Sequence, residues 1–171
     1  DLEHNFAGLT LGEGVTATLV EANADANSGM PWEILGKARP DLAELCSVPL
    51  TGFERYAAPS NKTGRNGVSR FTSYSIPMFS AAVCELVTLI RQVRVPLAEV
   101  DAIFVHAASM VIADEIAQRL DVWQPMHNVY AEYGNLVSAS IPAGIALALD
   151  DKTLKRGDHI LCCVGSAGMT F

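Results

Sequence analysis

Apolar positions recur along this chain in two rhythms, and both are clearest in its second half. Ile76, Phe79, Ala82, Val83, Leu86, Val87 and Ile90 fall three or four residues apart, which predicts a helix over 76–93. Pro77 is compatible with it because it falls in the first turn, and Pro96 bars any continuation. "DAIFVH" reads as a short buried strand ending on His106. "SMVIADEIAQRL" reads as an amphipathic helix with Met110, Ala113, Ile116, Ala117 and Leu120 inward. "MHNVYA" is a strand by the same reading, "SASIPAGIALALDD" a second buried helix and "GDHILCCVG" a third strand. Strand and helix alternate, so the pattern predicts an α/β fold with a mixed or parallel sheet covered by helices.

The first half is less regular. "LTLGEGVTATLVEA" predicts a strand after a Gly-rich turn, with Thr and Val favouring extended backbone. The turn-rich connector "NADANSGM" follows, then a short strand near "WEILGKA". Arg55 to Tyr74 reads as loop, with "APSNKTGRNG" at its centre. No internal repeat is evident.

Composition narrows the class. The 171 residues suit one domain, and 50% hydrophobic with 18% charged residues marks a globular chain. The longest apolar runs, such as "AIFVHAASMVIA", fall short of a membrane span, and "DLEHNFAGLT" lacks the basic start of a signal peptide. We therefore expect a cytoplasmic protein with no membrane partner. A net charge of −7 argues against nucleic acid as a partner. Cys46, Cys84, Cys162 and Cys163 sit in apolar surroundings, so reduced thiols are expected. Cys162 and Cys163, adjacent in a strand, would point to opposite faces and cannot readily bond each other. His4, His127 and His159 show no metal-ligand spacing, and no metal is expected.

In α/β sheets functional groups gather where strands end and helices begin. His106 stands at one such end. Asn135, in "AEYGNLVSASIPAG", stands at another, amid small and apolar residues where an amide is costly unless it finds partners. The "GSAG" turn after the last strand is a third. The plainer alternatives are a satisfied core histidine at His106 and a turn residue after Gly134 at Asn135.

At these residues the sequence resembles the β-ketoacyl synthase III branch of the thiolase superfamily. The family's "HQAN", "GN…SxP", "GDxVLL" and "FGAGFT"-type motifs have counterparts, in order, in "VHAASMVIADEIAQRL", "YGNLVSASIP" and "RGDHILCCVGSAGMT". His106 and Asn135 are 29 positions apart, close to the family's separation. "LGEGVTATLVE" is similar to the "FGDGAGAVVL" strand that ends the N-terminal half of those enzymes. The resemblance implies a thiolase-like, layered α-β-α fold. Residues 1–50 would be the end of the N-terminal half and a connector, 51–75 a loop and 76–171 the C-terminal half.

It also implies a Cys–His–Asn site for decarboxylative Claisen condensation. A Cys at a helix N-terminus becomes acylated, and His106 and Asn135 stabilise the enolate of a malonyl donor. The backbone N–H of Ala167 aligns with the donor to the acyl carbonyl, and Gly168 would permit close backbone approach. No cofactor is implied beyond the acyl-CoA or acyl carrier protein thioesters that serve as substrates.

The match has gaps. No cysteine aligns with the nucleophile, which implies a partner: a Cys-bearing N-terminal part or subunit. A homo- or heterodimer is expected as well, because unpaired sheet edges need cover. "HQAN" has become "HAAS", with Ser109 at a position that buttresses the family's site, and Val111 stands where several members place an Arg for carrier protein. That change leaves room for a CoA thioester. Arg55, Lys62, Arg65 and Arg70 form a basic cluster read either as a solvated loop or, through Arg65, as a contact for CoA phosphates. Phe79 is read either as core or as part of an acyl tunnel. Two further functions stay open: acyl transfer to an oxygen or nitrogen nucleophile with His106 as general base, and a non-catalytic partner subunit.

Overall fold

The computed structural model describes residues 10–20, 32–47, 72–106 and 108–171. Arg65, and most of the loop expected over 55–74, lie outside them. At the centre is a parallel sheet of three short strands, β3 (Ala102–Val105), β4 (Met126–His127) and β5 (Ile160–Cys163), in the order β4-β3-β5. Ala102 to Val105 align one to one with Ile160 to Cys163, and Ile103 and Phe104 with Met126 and His127.

Period-two alternation in β3 builds the layers. Ile103 and Val105 face one side, packed with α1 (Ser75–Ile90) and α2 (Val111–Leu120). Ala102 and Phe104 face the other, under α4 (Ser140–Asp150), with Ala148 and Leu154 completing that cluster. All four β3 residues are buried, as a central parallel strand with both faces covered requires. Gly144 is what lets α4 lie this close. A Cβ there would sit 3.2 Å from the Phe104 ring.

The helices follow their apolar stripes, with corrections at the ends. α1 stops at Ile90 rather than 93 and buries Ala82, Val83, Leu86, Val87 and Ile90. Ile76 shares that face but is exposed. α2 begins at Val111, so Met110 precedes the helix and is exposed rather than inward; Ile112, Ala113 and Ile116 form the buried face. "MHNVYA" is a strand only at its first two residues. Asn128 Oδ1 then accepts the Tyr130 N–H at 3.0 Å, and the chain turns into the short helix α3 (Tyr130–Tyr133).

The expected "buried" helix α4 is covered on one side. Ser140, Gly144 and Ala148 are buried, whereas Leu147 and Leu149 are exposed. The expected strand over 11–20 is also corrected. Its one bridge is the parallel pair Leu11–Asn135, and Val15 and Leu19 are 97% and 83% exposed. An extended segment becomes a strand only when a neighbour takes its hydrogen bonds, and none of the described residues does so beyond Gly12.

The "WEILGKA" segment pairs at its far end alone, where Ala38 bridges Thr170. A 3-10 helix, Pro40–Leu45, leads into β1 (Cys46–Ser47), which pairs antiparallel with β2 (Thr72–Ser73). Cys46 therefore opens a strand, and the loop reading fails at 72–73. Cys163 is buried and Cys162 exposed, as alternation along β5 requires. Among the described residues no helix is long and apolar enough to cross a membrane.

Candidate functional site

Parallel strands deliver their carboxyl ends to one edge of the sheet, and the candidate residues issue from that edge. The His106 N–H donates to the Cys163 carbonyl at 2.8 Å, extending the β3–β5 ladder by one residue and fixing where the imidazole emerges. The ring is half-buried and faces the main-chain carbonyl of Val137. Burial holds its pKa below the ordinary histidine value, with the Val137 carbonyl opposing that shift.

Asn135 is clamped from two sides. Its N–H donates to the Thr10 carbonyl at 2.8 Å, and its carbonyl accepts from the Gly12 N–H at 3.0 Å. This close approach explains two glycines. A Cβ on Gly12 would stand 1.7 Å from the Tyr133 oxygen, and Gly134, at φ 70°, would place one 2.9 Å from the Thr10 oxygen. The Asn135 side chain turns back on its own loop, where Oδ1 accepts the Val137 N–H at 2.9 Å. That donor identifies which side-chain atom is the oxygen, so Nδ2 is the free end, with no acceptor among the described residues.

Val137 thus joins the two candidates. Asn135 holds its N–H, and its carbonyl meets His106. It also sits at φ 54°, a conformation rare for a β-branched residue. Nothing in the sequence singled it out. The close spacing of Asn135 and Val137, with an amide side chain able to close a turn two residues on, was the available signal.

The turn after β5 has a distinctive amide pattern. Ser166 donates to the Thr170 carbonyl, Gly168 to Cys46 at 2.8 Å, Met169 and Thr170 to Ser166, and Phe171 to Lys37 at 2.9 Å. From Ser166 to Phe171 the Ala167 N–H is the one amide with no acceptor among the described residues, and the Gly165 N–H that opens the turn has none either. Gly168 is at φ 76°, and nothing lies within 4 Å of where its Cβ would stand, so backbone conformation is what calls for glycine there.

The remaining candidates lie elsewhere or serve the scaffold. The Ser109 carbonyl accepts from Asn128 Nδ2 at 2.9 Å, tying the loop after β3 to the end of β4; its Oγ is buried without a partner among the described residues. Asn128 was not anticipated. Phe79 packs on the margin of the α1–α2 core. His127 stacks on Phe104, and His159 Nδ1 lies 3.1 Å from the Glu99 carbonyl.

Burial raises the pKa of the Cys46 thiol and pushes that of Cys163 up to about 12, and partial desolvation by its neighbours raises that of Cys162 although the residue reaches the surface. Cys84 lies mid-helix and, unlike the sequence reading, has a cationic neighbour: Arg119 Nη1 is 3.6 Å from its sulfur. The packing of α1 on α2 creates that contact. Beside Asn135 runs an apolar groove of about 330 Å³ between residues 13–16 and the α3–α4 region, lined by Val15, Leu136, Ala143 and Leu147.

The arrangement is that of a thiolase-fold protein, with candidate donors on successive strand ends of a helix-covered sheet. Residues 90–171 match the family model for the 3-oxoacyl-[acyl-carrier-protein (ACP)] synthase III C terminal. The chain is 31% identical to β-ketoacyl-[acyl-carrier-protein] synthase III of Aquifex aeolicus, over 100% of this chain and 51% of that protein. It is 28% identical to 3-oxopimeloyl-[acyl-carrier-protein] synthase of Brucella abortus, over 99% and 52%. The crystal structure of the Aquifex aeolicus synthase III superposes with a TM-score of 0.63 at 25% identity, covering 80% of this chain and 40% of that one. The chain is ketosynthase III-like and corresponds to the C-terminal part of such a protein. It spans about half the length of the curated relatives it matches.

Proposed function

We propose that this chain is the His- and Asn-bearing part of an enzyme that condenses an acyl thioester with a malonyl thioester. A cysteine thiolate carried by a companion part attacks the acyl carbonyl carbon. A new C–S bond forms, and the CoA or carrier thiolate leaves and takes up a proton. The malonyl thioester then loses carbon dioxide, and the electron pair passes to its thioester oxygen as an enolate. The resulting carbanion attacks the acyl group and expels the cysteine thiolate.

One observation carries this reading: the carboxamide of Asn135 is fixed through its oxygen and keeps its N–H donors unengaged among the described residues. A donor fixed in advance at a site of developing negative charge is the most effective kind, because it needs no reorganisation during reaction. The Ala167 N–H, unengaged among the described residues, suits the carbonyl of the acyl group in the first step.

His106 favours keeping a second reading. A neutral imidazole has a single N–H, and here the ring faces an acceptor, the Val137 carbonyl. To act as an enolate donor, His106 must hand that N–H to the substrate oxygen. If the N–H stays on Val137, the other nitrogen offers a lone pair, which suits a general base in acyl transfer to an oxygen or nitrogen nucleophile.

The need for a companion part is supported by α4, apolar around its circumference but covered on one side, and by the exposed apolar residues Val15 and Leu19. Homodimer formation and a choice between CoA and carrier protein are parts of the same proposal. The relatives' names specify carrier protein, whereas the exposed Val111 offers it no charge.

The test is to incubate the full-length protein, or the complex with its cysteine-bearing part, with acyl-CoA and malonyl-CoA. Carbon dioxide release with chain extension is expected. His106→Ala and Asn135→Ala should each slow extension by about 100-fold or more while self-acylation persists. Acyl-enzyme without extension, with acyl transfer to an added alcohol or amine, would select the second reading. Absence of acyl-enzyme would reduce the chain to a non-catalytic role.

A further inference from the structure

Glu85 lies in the middle of α1, outside the candidate site, yet its side chain is 7% exposed and holds two cations. Lys37 Nζ is 2.7 Å from Oε2, and Arg39 Nη1 contacts Oε1. Arg39 also grips Asp41, with Nε and Nη2 at 2.9 and 2.7 Å from the two carboxylate oxygens. Both cations belong to the connector over 32–47, whose apolar anchors, Leu42, Leu45 and Cys46, all lie further along it. A buried carboxylate paired with two cations is costly to break, because removing its charge leaves Lys37 without a counter-ion and Arg39 with Asp41 alone.

That connector is what holds the turn after β5. The Lys37 N–H donates to the Phe171 carbonyl at 2.8 Å, and the Phe171 N–H returns to Lys37 at 2.9 Å. The Arg39 N–H donates to the Met169 carbonyl at 2.8 Å, and the Gly168 N–H to the Cys46 carbonyl at 2.8 Å. The Ser166 carbonyl, on the same peptide as the Ala167 N–H, accepts from Met169 and Thr170 inside the turn, and the four connector bonds hold the Gly168–Phe171 arm that carries those two donors. The direction of the Ala167 N–H is therefore set by a strand pairing whose other side is pinned to α1.

We infer that Glu85 is a positioning residue for the Ala167 amide, acting through Lys37, Arg39 and the connector they carry. It touches no substrate. The inference rests on the proposed role of Ala167 in acyl-cysteine formation, the step in which the thiolate adds to the acyl carbonyl and the leaving thiolate departs. Asn135 is held by Thr10–Gly12 and its own loop, and His106 by the Cys163 carbonyl inside the central sheet, none of them bonded to the connector, so Glu85 should matter to one step and not the other.

The experiment compares full-length wild-type protein with Glu85→Gln, which keeps shape and removes charge, and with Lys37→Met, which leaves the Arg39 pair intact. Self-acylation by an acyl-CoA is read by mass spectrometry, and decarboxylation of malonyl-CoA is read separately as carbon dioxide. Glu85→Gln is expected to slow acylation about tenfold and decarboxylation less than about threefold, and Lys37→Met to show a weaker effect on the same step. Amide hydrogen exchange at Lys37, Arg39, Gly168 and Phe171 should accelerate about tenfold, with Ile103 to Val105 unchanged. Equal slowing of both steps, or unchanged exchange at those four amides, would overturn the inference. If wild type forms no acyl-enzyme, the functional reading fails, while the exchange data still decide whether Glu85 holds the turn.

Discussion

The imidazole of His106 faces the main-chain carbonyl of Val137, whose own N–H is held by Asn135 Oδ1 at 2.9 Å. One residue thus connects side chains 29 positions apart, and it does so in a left-handed conformation at φ 54°. Holding a β-branched residue there costs about 1–3 kcal/mol. Val137→Gly removes that strain at the expense of about 0.5–1 kcal/mol of backbone entropy, and the exposed side chain gives up little burial. The variant is expected to be more stable by about 1 kcal/mol in urea unfolding. A loss of stability would mean that the Val137 side chain has a packing role.

The depressed pKa of His106 has a consequence for stability. As pH falls through about 6.5, the unfolded chain binds a proton that the folded ring, desolvated, still refuses. Stability is therefore unaffected by this group above that pH and declines as pH falls toward the lower folded value. His106→Ala should flatten the unfolding free energy between pH 7 and 5 relative to wild type. NMR titration of the ring should give a midpoint below the unfolded value; one above it would contradict the burial argument.

Gly12 offers a test of the Asn135 clamp. A Cβ 1.7 Å from the Tyr133 oxygen cannot be accommodated, so Gly12→Ala should release the Leu11–Asn135 bridge rather than distort it. The cost is then capped near the two hydrogen bonds lost, about 1–3 kcal/mol. The Asn135 amide should lose exchange protection in the same variant. Unchanged protection would show that the bridge does not hold Asn135.

The four cysteines should separate by reactivity. Cys84 is exposed and lies beside Arg119, whereas Cys46 and Cys163 are buried with raised pKa values, that of Cys163 about 12. Brief iodoacetamide treatment of the native protein, read by peptide mass spectrometry, should modify Cys84 first, with Cys162 slower and Cys46 and Cys163 protected until denaturation. Early modification of Cys163 would be inconsistent with the layer packing around β5.

Much of this architecture was legible in the chain. The stripe from Ala82 to Ile90 fixed α1 and its buried face, and the unbroken apolar run of Ala102–Val105 fixed a central strand, because each pattern has one solution that removes apolar surface from water. The position of His106 at a strand end followed from the same reading, whereas Asn135 stands not at the end of β4 but after the helix that follows it. Tertiary structure decided the rest. Val15 and Leu19 are apolar in an extended pattern yet exposed, since a strand requires a partner that its own sequence does not supply. The Val137 link, the Asn128–Ser109 tie and the Glu85 clamp join residues far apart in the chain through hydrogen bonds and ion pairs. Such contacts leave no periodic trace in sequence, because polar pairing depends on where loops meet in space, whereas apolar burial depends on which face of an element a residue occupies.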